Sequence, residues 1–186
     1  MKKGLEIRIY PNKTQQKLIK TTFGCTRFVH NKILAIKKEL WNEYRLSFNP
    51  KLKSFKEEWK FLTKVPSQAL ANAYMDSMKS FDNFFKCIKG KSKAQQKFPR
   101  FKKKGKSKDS FRIAATKTSS GYDLKVVDRN HIKIPKLGII QFANYNDLDW
   151  TKIHIYNITI KQSAVGNYYA SLCCELPETE YKEPKY

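Results

Sequence analysis

Leu5, Ile7 and Ile9 alternate with Glu6, Arg8 and Tyr10, the period-two pattern of a half-buried β-strand, and Pro11 and Asn12 stop it. A lone strand cannot bury its apolar face, and the only other strand-rich region is the C-terminal half of the chain. This strand must therefore join a sheet made downstream. Both ends of the chain then belong to one domain, and what lies between is an insertion.

The inserted segment reads as helical. Thr14 is a good N-cap for a short apolar stripe of Leu18, Ile19 and Phe23, and Gly24 reads as a break. Phe28, Val29, Ile33, Ile36, Leu40 and Tyr44 then recur at three- and four-residue steps, a helix of about five turns whose apolar face Trp41 widens. Ser54 with Glu57 reads as a capping box for a short helix carrying Phe55, Trp59 and Leu62. After Pro66 the stripe of Leu70, Tyr74, Met78, Phe81, Phe85 and Ile88, extended by Phe84, predicts the clearest helix, which Gly90 closes. Its aromatics read as core.

Strand patterns follow at Ser110 to Ala114, Tyr122 to Val127, His131 to Ile134, Ile139 to Ala143, Lys152 to Gln162 and Tyr168 to Leu176, separated by Ser119, Ser120, Gly121, Pro135 and Gly166. Short, closely spaced strands predict a small barrel, so the expected class is α+β, a β-barrel split by a helical bundle. Pro177 to Tyr186 reads as a linker.

The formal net charge is +22, from 38 Lys and Arg against 16 Asp and Glu, too large for an enzyme acting on neutral metabolites because the compact state must bear strong self-repulsion. With 40% apolar and 13% aromatic residues the chain is also no disordered polycation. A polyanionic partner relieves the charge. Nucleic acid is preferred to membrane, because the positive residues are spread over helix, loop and strand and not gathered on one amphipathic helix. No apolar stretch is long enough to span a bilayer and the N-terminus lacks a signal-peptide core, so the expected location is cytoplasmic. Cys25, Cys87, Cys173 and Cys174 form no C-x-x-C pair and read as small buried thiols, and His30, His131 and His154 are scattered, so neither a metal nor a cofactor is expected.

From 91 to 108, nine of eighteen positions are Lys or Arg. The stretch Lys97 to Arg112 interleaves that charge with Phe98, Phe101 and Phe111, so Lys102, Lys103, Lys104 and Lys106 are candidates for phosphates, with rings available to stack on bases or to anchor a linker. Arg8, Arg27, Arg100, Arg112, Lys133 and Lys136 are candidates to line the barrel's basic face; the competing reading is that each is simply solvated. Ser67, Gln68, Asn72, Asp76 and Lys79 lie on the polar flank of the third long helix, where they either approach phosphates and adenine edges or merely cap the helix. Gly121-Tyr122-Asp123-Leu124 superficially resembles the first strand of an RNase H-like nuclease, but a turn entering a strand explains it better. The sixteen acids are dispersed, and no P-loop, G-x-G-x-x-G or Ser-His-Asp pattern occurs, so no catalytic residue is assigned.

Five strings together resemble the N-terminal half of TnpB, the transposon-associated OrfB-type family: Ile7 to Gln15, Phe23 to Asn31, Val65 to Leu70, Phe98 to Lys102 and Ile134 to Gly138. Any one is weak; five in order are specific. His30 stands where that family often has Tyr. The resemblance implies an RNA-guided DNA endonuclease ancestral to type V CRISPR effectors. Its wedge domain, an oligonucleotide-binding-like barrel, is split by a helical recognition domain. It places the first wedge strand at 1–12, the recognition domain at 13–95, the remaining wedge strands at 96–178 and a linker at 179–186. The partners it implies are a guide RNA and double-stranded DNA, with a RuvC nuclease segment as a further partner. It also places recognition of a short transposon-adjacent DNA motif at the start of the helix holding Ser67, Gln68, Ala71 and Asn72, with Phe48, Thr116 and Lys117 as weaker matches. The RuvC acids, their Mg²⁺ and the family's zinc-finger cysteines are expected to have no counterparts before Tyr186, so this chain alone is not expected to cleave. Two rivals stand beside this reading, a nuclease-less TnpB-derived DNA-binding regulator and a ribosome-associated structural RNA-binding protein.

Overall fold

A computed structural model describes residues 2–44, 49–91, 97–105, 109–119, 121–144 and 148–176. The chain divides into two compact units, one of Met1–Lys20 with Lys108–Tyr186, the other Thr21–Ser107.

The first unit is built on β1 (Lys2–Tyr10), which pairs antiparallel along its length with β9 (Tyr168–Glu175) and, at Ile9 and Tyr10, with β7 (Gly138–Phe142). β8 (His154–Gln162) lies beside β9, and β2 (Ser110–Ala114) beside β8. On the other side β6 (His131–Ile134) and β5 (Lys125–Asp128) extend the sheet past β7, giving the order β2-β8-β9-β1-β7-β6-β5. β3 (Lys117–Thr118) and β4 (Gly121–Tyr122) form a separate two-residue ribbon. Alternation decides the faces: Ile7, Ile9, Ile113, Ile132, Ile140, Ile158, Ile160 and Leu172 are buried, and the intervening side chains point away from them. Trp150 completes the core, its ring 5.0 Å from Phe142 and its Nε1–H donating to Asn144 Oδ1 at 2.9 Å.

The predicted closed barrel is corrected to an open antiparallel sheet: among the described residues β2 and β5 are its two edges. A bulge between Val126 and Asp128 interrupts β5, which breaks its ladder and blunts that edge. The predicted strand Tyr122 to Val127 is likewise divided, because Asp123 Oδ1 accepts from the Thr116 N–H at 2.7 Å and bends the chain between β4 and β5.

Helix α1 (Lys13–Tyr44) is continuous, and its first eight residues belong to the sheet unit. Its N-cap is Asn12, not Thr14. Asn12 Oδ1 accepts from the Gln15 N–H at 2.9 Å, while Gln15 Oε1 accepts from the Asn12 N–H at 2.9 Å, a reciprocal capping box. The Gln15 amide nitrogen also donates to the carbonyls of Leu137 at 3.0 Å and Ile139 at 2.8 Å, tying the helix start to the β6–β7 turn. That turn holds Lys136 at φ 63°, a left-handed conformation costing a non-glycine residue about 1 kcal/mol.

In the second unit, the predicted break at Gly24 is absent. Phe23, Cys25 and Val29 are buried around it, and that burial outweighs a glycine's helix penalty of about 1 kcal/mol. A Cβ at Gly24 meets nothing within 4 Å. Gly24→Ala should therefore raise stability by about 0.5–1 kcal/mol, measured as an upward shift of the urea midpoint. α2 (Leu52–Glu58) begins at Lys51 with no side-chain cap, so Ser54 is inside the helix and the predicted Ser54–Glu57 box does not form. A 3₁₀ turn, Lys60–Lys64, leads to α3 (Ser67–Ile88). Phe81 is buried with 2% exposure, and Trp41 packs on Phe85 at 4.8 Å. Of the four thiols, Cys25 and Cys174 are buried, and burial pushes the Cys174 thiol up to about 11; Cys87 and Cys173 are only half-buried, short of the burial expected of them.

Candidate nucleic-acid interface

The basic stretch after α3 is held by its backbone. Phe98 wedges edge-on against Phe81, with ring centres 5.7 Å apart, and Phe84, at 5.0 Å. Two residues on, the Arg100 carbonyl faces His30 Nε2 at 3.3 Å. Asn31 then grips Lys102 at both backbone groups, its Nδ2 donating to the Lys102 carbonyl at 3.0 Å and its Oδ1 accepting from the Lys102 N–H at 2.8 Å. Three successive attachments by ring, imidazole and amide use none of the charged side chains. Arg100, Lys102, Lys103 and Lys104 are left exposed, and Phe101 is 47% exposed. The two phenylalanines thus separate in role: Phe98 is an anchor and Phe101 is presented. An ordered strap of cations is a better phosphate ligand than a mobile tail, because less conformational entropy remains to be lost on binding.

His30 and Asn31 carry this arrangement, and reading the sequence did not single them out as site residues. His30 is buried, with Nδ1 2.7 Å from Ser77 Oγ, whose hydroxyl is also 2.8 Å from the Ala73 carbonyl. Burial, reinforced by the Lys102 charge, holds its pKa below the usual 6.5. Because the folded pKa is below the unfolded one, the unfolded chain takes up this proton first as the solution is acidified. The stabilisation is full above about pH 6.5 and is lost as pH falls toward the folded value. His30→Gln cannot titrate, so the stability difference between wild type and variant should shrink between about pH 7.5 and about pH 5.5 in paired urea titrations.

Four of the residues expected to face DNA, Ser67, Gln68, Ala71 and Asn72, share one face of α3. Ser67 and Ala71 are exposed and Gln68 and Asn72 half-buried, four apart in each pair, and Met75 continues the face with 60% exposure. The N-cap is Pro66 and offers no side chain, so capping by Ser67 does not explain this face. Asp76 and Lys79 follow on the same helix, both exposed. Thr116 and Lys117 are in the other unit, at the start of the β3–β4 ribbon. Phe48 and Lys106 lie outside the described residues, as does the segment 179–186 read as a linker.

The cations expected on one barrel face are divided. Arg8, Arg112 and Lys133 stand on the outer face of the sheet, on β1, β2 and β6, and Lys136 is at the β6–β7 turn. Arg27 and Arg100 belong to the helical unit. The Arg8 guanidinium donates to Asn167 Oδ1 at 3.0 Å beside a cleft of about 230 Å³ lined also by Tyr10, Gln16, Gly166 and Tyr168. Asp123, the candidate nuclease acid weighed in the sequence, is spent on the Thr116 amide. Among the described residues no group of three or more His, Cys, Asp or Glu is placed to hold a metal ion, and no helix is long and apolar enough to cross a membrane.

Comparison with known proteins agrees with the resemblance read from the sequence. A helix-turn-helix domain of OrfB-type proteins matches residues 1–46. A protein of Streptomyces pristinaespiralis named as a candidate RNA-guided DNA endonuclease is 28% identical over 187 residues, covering 94% of this chain and 42% of that protein. InsQ of Escherichia coli K12, named in the same way, is 29% identical over 180 residues, covering 92% and 40%. The chain resembles these proteins over most of its own length. It spans about two fifths of the length of these curated relatives. Within the matched N-terminal segment, the described residues form one strand and one unbroken helix, β1 and α1, and not two helices with a turn.

Proposed function

We propose that the chain is the nucleic-acid-binding part of a TnpB-like RNA-guided DNA endonuclease. The sheet unit serves as an oligonucleotide-binding-like wedge and the helical unit as the recognition domain inserted in it. The observation that carries the reading is the strap from Phe98 to Lys104, fixed by Phe81, His30 and Asn31 while its cations face solvent. The relatives' names, RNA-guided DNA endonucleases, support RNA and DNA as partners, which this reading takes to be a guide RNA and a DNA duplex.

In this reading Arg100, Lys102, Lys103 and Lys104 neutralise RNA phosphates, and Arg8, Arg27, Arg112, Lys133 and Lys136 add contacts of the same kind. The face of α3 bearing Ser67, Gln68, Ala71 and Asn72 reads the short DNA motif. Gln68 and Asn72 are suited to adenine edges, and Ser67 and Ala71 are small enough to let the helix approach the groove. Thr116 and Lys117 contact the same duplex from the wedge. Cleavage is assigned to the part of the relatives' length that this chain does not span.

The test is to express the chain in its native host background and sequence the RNA that copurifies. A discrete transcript from a transposon end is the expected result. Ribosomal RNA in its place would overturn the reading in favour of a ribosome-associated protein.

A further inference from the structure

The sheet unit carries a second cluster that the strap and α3 do not use. Tyr122 of β4 packs on His154 of β8 with ring centres 4.5 Å apart, and His154 packs on Tyr156 at 4.7 Å. Lys2 of β1 lies over the Tyr156 ring, its Nζ 4.8 Å from the centre. Tyr156 follows the buried Ile155 and so shares the outer face with His154, while the bulge between Ile155 and Asn157 returns Ile158 to the core. Tyr122 is 40% exposed and the other two rings half-buried. Lys2 and Tyr122 are far in sequence from His154 and Tyr156, and none of the four was a candidate site residue there. A row of open rings beside an ammonium has no role in the core, which lies on the opposite face.

We propose that Tyr122, His154 and Tyr156 form a stacking platform for an unpaired base of single-stranded RNA, with Lys2 on the adjoining phosphate. The proposal deepens the RNA-binding function above and rests on it. Aromatic faces accept any base, and the cation gives the row a polarity suited to a polyanion. RNA is favoured over DNA by Glu175. Its carboxylate accepts from the Tyr156 hydroxyl and has further lone pairs for a ribose 2′-hydroxyl, which deoxyribose lacks.

The experiment is fluorescence anisotropy with the full chain and a labelled oligouridine of about 12 nucleotides, its abasic counterpart and its deoxy analogue. Tyr122→Leu and Tyr156→Leu should each weaken oligouridine binding about tenfold without changing its salt dependence, while Tyr122→Phe and Tyr156→Phe retain it. Wild type should lose a similar factor on the abasic strand, and the Leu variants nothing further. Leu variants that bind as wild type would overturn the platform, and equal affinity for the deoxy analogue would overturn the assignment to RNA. If wild type binds no RNA at all, the proposed function fails with it. If charge reversal on the strap weakens binding and the Leu variants do not, only the platform fails. Should a Leu variant not fold, 4-thiouridine crosslinking to wild type decides: adducts on Tyr122 or Tyr156 support the platform, and adducts solely elsewhere contradict it.

Discussion

Phe81→Ala should cost about 3–5 kcal/mol and lower the melting temperature by on the order of 10 °C, the largest loss expected from any single change in the helical unit. Phe81 is nearly fully buried on α3, so truncation forfeits its transfer energy and leaves a cavity between packed helices. Two further contacts go with it. Phe98 loses one of its two supporting rings, keeping Phe84, and the Lys37 ammonium loses the ring face 5.0 Å away. Lys37 is itself buried, and burial already holds its pKa below the ordinary lysine value, so removing the ring leaves a cation with less compensation. Thermal unfolding followed by circular dichroism measures the effect. A shift of only a degree or two would mean that Phe81 is not the centre of this core.

Lys102→Glu, Lys103→Glu and Lys104→Glu together should weaken RNA binding about a hundredfold at physiological salt while leaving the melting temperature nearly unchanged. Each phosphate contact on a single strand contributes roughly 0.7 to the slope of log affinity against log salt, so losing three contacts should flatten the slope by about 2. Stability is spared because the strap is held through the backbone of Arg100 and Lys102, and all three lysine side chains are exposed. Salt titrations of wild type and variant against one RNA give both quantities. An unchanged slope would reduce the stretch to a tether.

β1 shows what could be read from the sequence. Its alternation fixed the buried face, and the absence of a nearby partner required pairing with distant strands, which the ladders to β9 and β7 supply. The stripe after Pro66 likewise gave α3 its limits. Gly24 misled because a helix breaker is judged locally, whereas the burial of Phe23, Cys25 and Val29 that overrides it is tertiary. Barrel closure was out of reach for a similar reason, since strand spacing does not reveal whether edge strands meet. At the interface, charge and aromatic content marked residues 97 to 112 as a candidate surface. What orders that surface was invisible, because His30 and Asn31 bind the backbone of residues about seventy positions away, and a clamp on backbone leaves no signature in the side chains it holds. Tyr122, His154 and Tyr156 were missed because Tyr122 lies on a different strand from the other two, and no local pattern ties β4 to β8.

The proposal that this chain holds a guide RNA through an ordered cationic surface is met most directly by titrating the wild-type chain with the transposon-end RNA at several salt concentrations. High affinity at low salt that falls steeply and linearly on a log–log plot, with a slope of at least about 3, is the predicted result. Negligible affinity at low salt, or affinity that hardly changes as salt rises, would contradict it.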